Sequence, residues 1–173
     1  PTASANCSPA LHRTASILSG LIVLLLTAGC HSLDDDRIPP SPVNLVFATE
    51  AQWSIYGVTG AMDYRSFVRD LRIPGNFPYT ASSYTGFGGI LLVCDVLGQP
   101  RAYDLACPVE QRQDVRVQID AESMNARCSK CGSTYDVFSL PGHPLSGPAA
   151  QHGYGLRPYH VGPGKLDFMT VSF

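Results

Sequence analysis

Three cysteines stand at spacings that suit metal or thiol chemistry. Cys107 opens the run Cys107-Pro108-Val109-Glu110, and Cys128 and Cys131 enclose a Cys-x-x-Cys in Cys128-Ser129-Lys130-Cys131. A thiolate is both a nucleophile and a soft metal ligand. The Cys-x-x-Cys supplies two neighbouring donors and is a common half of a structural zinc site. With Cys107 added, a closed tetrahedral site is still one donor short. Glu110, close to the first cysteine, and His143, in a turn near Pro148, are the candidates for that place. Cys94 sits within an apolar run, is expected to pair near Tyr103, and reads as a buried free thiol. His152 and His160 have no spacing partner. A disulfide is the competing use: Cys94, Cys107, Cys128 and Cys131 are an even set, which would suggest pairing if the chain is exported. Cys107–Cys128 or Cys107–Cys131 would then staple two loops. A thioredoxin-type use needs a helix after the motif, and Gly132 to Val137 is poor helix-forming sequence.

The elements around these residues read as short strands. Alternation of period two dominates, with no strong amphipathic helix. Val43 to Phe47 and Trp53 to Tyr56 are expected as opening strands, and Tyr64 to Leu71 as a strand or a short helical turn. Residues 72–88, punctuated by proline and glycine, read as a long loop. Ile90 to Val96 is an apolar strand, Leu97-Gly98-Gln99-Pro100 a turn, and Arg101 to Ala106 the returning arm of a hairpin. Val115, Val117 and Ile119 alternate with Arg116, Gln118 and Asp120 as a half-buried strand should. Tyr135 to Phe138 is a further strand, residues 140–144 are turn-rich, and Leu156 to Val161 and Lys165 to Val171 close the sheet. The sum predicts an all-β fold, an antiparallel sandwich or small barrel over residues 43–173.

The order of these pieces resembles the Rieske iron–sulfur domain. That family carries Cys-x-His in one loop and Cys-x-x-His-Gly-Ser-x-Tyr/Phe-Asp in a second, followed by a proline loop. Here Cys107-Pro108-Val109 stands at the first, Cys128-Ser129-Lys130-Cys131-Gly132-Ser133-Thr134-Tyr135-Asp136 at the second, and Gly147-Pro148-Ala149 at the third. The resemblance implies a Rieske-like antiparallel β fold with two ligand loops. It implies a 2Fe-2S cluster and electron transfer, with Cys107 and Cys128 as thiolate ligands. It also implies that Ser133 and Tyr135 hydrogen-bond to sulfur, and that Pro148 covers the site. Both ligand histidines are replaced, the first by Val109 and the second by Cys131. Valine offers no donor, and a thiolate for an imidazole adds negative charge and lowers the reduction potential. A cluster-free domain of the same fold, with a disulfide or structural zinc at the cysteines and an interaction role in the envelope, is the alternative. The reading favours an electron-transfer or binding module over a catalyst.

The N-terminal part carries an address. His12 and Arg13 precede the apolar run Ile17 to Ala28, which is the length of a signal peptide's core and shorter than the roughly 20 residues of a membrane span. Thr27-Ala28-Gly29-Cys30 resembles a bacterial lipobox, so residues 1–30 read as a signal peptide and Cys30 as the acylated residue. A lipid membrane is then the first partner, and an unknown redox or envelope protein the second. Residues 31–42, acidic and proline-rich, read as a flexible tether. Asp34-Asp35-Asp36 behind the cysteine resembles a surface-export signal of Gram-negative lipoproteins, against a plain solvated spacer. The expected location is the cell envelope of a Gram-negative bacterium, on the outer membrane. A formal net charge of −2 with no basic stretch makes nucleic acid an unsuitable partner.

Overall fold

A computed structural model describes residues 33–173 of the chain. Alternation makes the first strand, β1 (Val43–Phe47): Val43, Leu45 and Phe47 are buried, and Asn44 and Val46 are not. The chain then turns into a short helix, α1 (Glu50–Tyr56), where a strand was expected from Trp53. The cause is a capping signature. Thr49 Oγ1 accepts from the Gln52 amide at 3.2 Å, and Gln52 Oε1 accepts from the Ala48 amide at 2.8 Å. The helix delivers Trp53 edge-on to Phe47, ring centroids 5.0 Å apart. Strand β2 (Tyr64–Phe67) runs into one turn of 3-10 helix at Arg69–Leu71, so both readings of that segment are realised in sequence. The glycine- and proline-rich stretch after it contains the two-residue strand β3 (Tyr84–Thr85).

Strand β4 (Ile90–Cys94) is apolar throughout because both of its faces are covered. Ile90, Leu92 and Cys94 face an aromatic core built on Phe47, Trp53, Phe67 and Phe77. Leu91 and Val93 face a second core that holds Tyr103, Cys107, Cys128 and Tyr135. β4 pairs with β5 (Pro100–Asp104) in the expected hairpin, in a register that sets Leu91 opposite Tyr103 and Cys94 opposite Pro100. Cys94 therefore lies at the turn end of the hairpin rather than near Tyr103, and it is a buried free thiol as expected.

Three short strands, β6 (Val117–Ile119), β7 (Ala126–Cys128) and β8 (Thr134–Asp136), precede β9 (His143–Ser146), which forms where a turn was expected. A second helix, α2 (Gly147–His152), and strands β10 (Pro158–Gly162) and β11 (Met169–Ser172) complete the chain. All named pairings are antiparallel. One sheet has seven strands in the order β2-β4-β5-β10-β11-β1-β3, and the other has four in the order β6-β7-β8-β9. The larger sheet curls into a nearly closed barrel. Its edges approach where the Arg69 amide donates to Thr85 Oγ1 at 3.3 Å. The all-β expectation is met.

One buried carboxylate fastens the strand that launches the first cysteine. Asp104 accepts from the amides of Phe87 at 2.8 Å, Gly88 at 3.0 Å and Ala106 at 2.7 Å, and from the Tyr159 hydroxyl. Burial pushes this carboxyl above the usual carboxylate range, and the Tyr159 hydroxyl and the three amides pull against it. Every neighbour is a donor, so the ionised form is the one the geometry suits.

Residues 33–42 are not the free tether expected of 31–42. They pack on the domain as a strap, and residues 31 and 32 lie outside the described residues. The Asp34 amide donates to the Gly153 carbonyl, and the Gly155 amide to the Asp34 carbonyl, both at 2.8 Å. Asp36 pairs with the buried side chain of Arg157, and Arg37 stacks on the Tyr154 ring at 4.0 Å. Ile38 is 1% exposed. Acidic and proline-rich composition argues against an independent core. It does not prevent docking, because here a neighbouring fold supplies the counter-charge and the apolar seat.

Two substitutions test this account. Ile38→Ala should cost about 2–4 kcal/mol in urea unfolding, as for a core isoleucine, whereas a free tether would give no change. Asp104→Asn sets an amide donor against backbone donors and should cost about 2–3 kcal/mol in the same measurement.

Candidate metal centre

The β6–β7 hairpin creates the site. Val117 faces Cys128 in its register, so the segment entering β6 and the segment leaving β7 lie at the same end. The first carries Cys107, Cys128 is the last residue of β7, and the second carries Cys131. Each cysteine loop is closed in the same way. The Gln111 amide donates to the Cys107 carbonyl at 2.9 Å, and the Gly132 amide to the Cys128 carbonyl at 3.0 Å. Gln111 and Gly132 both take left-handed backbone, with φ of 52° and 73°. The Cys107 amide is anchored to Val115 O and the Cys128 amide to Ser133 O, both at 2.9 Å. A cross-loop ion pair joins Lys130 to Glu110 at 2.9 Å. Sequence reasoning missed this pair, although one charge of each sign in each loop was a visible signal.

The three sulfurs converge. Cys107, Cys128 and Cys131 place their Sγ atoms within 4.8 Å of one another, and Cys107 and Cys131 are 3.6 Å apart. Cys107 and Cys128 are fully buried, while Cys131 is half-exposed. The group of metal-capable side chains found there among the described residues is these three. Glu110 is engaged by Lys130, and His143 is exposed on β9 opposite Asp136, so neither proposed fourth donor joins the cluster. Val109 packs against the core beside the sulfurs.

Two hydroxyls point at sulfur. Tyr135, fully buried, has its hydroxyl 3.7 Å from Cys107 Sγ. Ser133 Oγ accepts from the Cys131 thiol at 3.2 Å and from the Ala149 amide at 3.1 Å. Burial pushes the Cys107 thiol up to about 12, against the opposing pull of the Glu110 amide, the Tyr135 hydroxyl and the Val109 amide. Burial also pushes Cys131 up. The Ser133 hydroxyl and amide, with the Cys107 and Cys128 thiols, outweigh it and hold Cys131 below the usual thiol range. Tyr135 is raised well above the usual phenol value by burial and by Cys107. The arrangement gathers three sulfur donors in a low-dielectric pocket with a hydroxyl in contact with two of them. That is a thiolate site able to hold a soft or borderline metal ion.

Comparison with protein-family models, with curated proteins and with solved structures found no match. The three-cysteine cluster therefore stands on its own geometry.

Gly147-Pro148-Ala149, expected as a loop, is the first turn of α2, with Ser146 at the cap and Pro148 where its missing N–H does no harm. Gly147 is required on two counts. Its φ is 73°, and a Cβ there would stand 2.9 Å from Ser133 Cα and 3.0 Å from Ser133 Oγ. This close approach is what presents the Ala149 amide to Ser133. Cys30 lies outside the described residues.

Gly147→Ala should lose about 1–3 kcal/mol of stability, from left-handed strain together with displacement of Ser133. Thermal unfolding of the variant checks this, with Gly60→Ala as the control, since a Cβ at Gly60 would meet nothing within 4 Å.

Proposed function

We propose that residues 43–173 form a metal-binding module of Rieske-type architecture, with Cys107, Cys128 and Cys131 as its ligands, carried in the bacterial envelope on a lipid anchor at Cys30. The observation that carries the reading is the convergence of three sulfurs within 4.8 Å. Ser133 and Tyr135 support it, each with a hydroxyl at a sulfur, as the resemblance implies. So does Gly147-Pro148-Ala149, which packs onto Ser133 beside the cluster.

The occupant implied by the resemblance is a 2Fe-2S cluster, which when bound supplies a one-electron couple for electron transfer. The residues present fit a thiolate-bound metal. They do not fit the family's set of two thiolates and two imidazoles, because Val109 offers no donor and Cys131 offers sulfur. In this role Cys107, Cys128 and Cys131 would hold the metal. Ser133 and Tyr135 would donate to sulfur and raise the potential. The Glu110–Lys130 pair would keep the two loops in register.

One distance favours a second occupant. Sulfur ligands at about 2.3 Å on a single tetrahedral zinc stand roughly 3.7 Å from each other. Cys107 and Cys131 are 3.6 Å apart. A single ion with three protein thiolates and one open position is thus the alternative, and zinc is its first candidate.

The envelope location is inferred from the signal-like run Ile17 to Ala28 and from Thr27-Ala28-Gly29-Cys30. The acidic run behind Cys30 supports the outer membrane of a Gram-negative cell. No helix among the described residues is long and apolar enough to cross a membrane. An envelope redox protein is the partner that an iron–sulfur occupant would call for.

The test is metal and acid-labile sulfide content of the full-length chain, purified anaerobically without chelators. Iron with matching sulfide and visible absorption supports the cluster. One metal ion per chain without sulfide supports the single-ion site. Either occupant should fall at least tenfold in Cys131→Ser and persist in Cys94→Ser. A chain that holds neither iron nor zinc overturns the proposal.

A further inference from the structure

Cys107 and Cys131 have a second chemistry open to them. Their sulfurs lie 3.6 Å apart on separate loops, against about 2.05 Å for a bonded pair. Backbone bonds at the base of each loop and the Glu110–Lys130 pair hold the sulfurs facing each other. The two differ in access. Cys107 and Cys128 are fully buried, whereas Cys131 is half-exposed at the tip of its loop. An accessible sulfur in contact with a sheltered one is the arrangement that thiol–disulfide exchange requires.

We propose that Cys107 and Cys131 form a redox-active dithiol that closes by exchange with a small or protein disulfide, and that closure switches metal binding off. The Cys131 thiolate attacks one sulfur of the incoming disulfide RSSR. A Cys131–SR bond forms, the S–S bond of RSSR breaks, and one RS⁻ leaves. The Cys107 thiolate then attacks Cys131 Sγ. The Cys107–Cys131 bond forms and the second RS⁻ leaves. Two electrons pass from the pair to RSSR, and the two thiol protons go to the departing thiolates. The closed form retains one of the three sulfur donors, Cys128, which cannot hold the ion alone. The switching half of this proposal rests on the metal reading above, and the exchange half does not.

The experiment uses the full-length chain, reduced and stripped of metal, with oxidised glutathione as the probe. After acid quench and digestion, disulfide mapping should find Cys107 linked to Cys131, with Cys94 and Cys128 as free thiols. Cys107→Ser should stop with one glutathione on Cys131. Cys131→Ser should react at least tenfold more slowly than the parent chain. A link through Cys128, or no link within the chain, overturns the exchange proposal, and the parent chain alone decides this if a variant fails to fold. Zinc binding is then measured on the oxidised chain and after re-reduction. A loss of at least tenfold that reduction reverses supports the switch, while equal binding by both forms overturns it. Binding by neither form overturns the switch and the zinc reading together, and leaves the exchange result standing.

Discussion

The pairing of Val117 with Cys128 is the constraint on which the rest of the site depends. In an antiparallel hairpin, the chain entering one strand and the chain leaving the other must lie at the same end. That register brings Cys107, which precedes β6, to Cys128, which ends β7, and to Cys131, which follows it. A slip of one residue would turn Cys128 out of the core and the next residue in. The burial of Val117, Ala126 and Cys128 on one face opposes such a slip. The loops need only add local turns to point three sulfurs at one place.

The supporting structure works through polar groups as much as through apolar burial. Asp104 gathers donors from the Phe87–Gly88 turn, from the strand running to Cys107 and from β10. Ser133 does the same on a smaller scale, linking the second loop to α2 through Ala149. Each is buried, and a buried polar group is stable only with its partners in place. These bonds therefore position as well as satisfy. The strap extends the logic to the N-terminal side. With the amide oxygen of Gln111 turned toward Arg37, it accepts from that guanidinium at 2.8 Å and 3.1 Å. Arg37 thus touches the first cysteine loop and stacks on Tyr154 just beyond α2. In the proposed lipoprotein, the domain would begin three residues after its anchor instead of hanging on a long leash.

Three thiolates in such a pocket repel one another, and burial alone would keep them protonated. A metal cation or a disulfide removes that charge in different ways. The same geometry therefore supports the proposed metal centre and the proposed exchange chemistry, and the two exclude each other at Cys107 and Cys131.

Much of this was legible in the sequence. Alternation at Val43–Phe47 and around Val117–Ile119 marked strands, and the apolar run from Ile90 marked another, whose cover on both faces came from the structure. The residue types and spacing of Cys107, Cys128 and Cys131 named them as one candidate site, and the resemblance added Ser133 and Tyr135. What failed was what depends on partners distant in the chain. The helix at Trp53 was set by a local cap that alternation hid. Strand β9 formed because β8 offers it an edge. The strap docked because Arg157 and Tyr154, far along the chain, receive Asp36 and Arg37. Glu110 and His143 were nominated as ligands by proximity in sequence, and tertiary contacts directed one to Lys130 and left the other facing solvent. Composition and pattern determine which residues are buried and which can carry chemistry, because these follow from side-chain type and period. Only the tertiary structure decides which of them meet, because long-range pairing and the satisfaction of buried charges are properties of the whole fold.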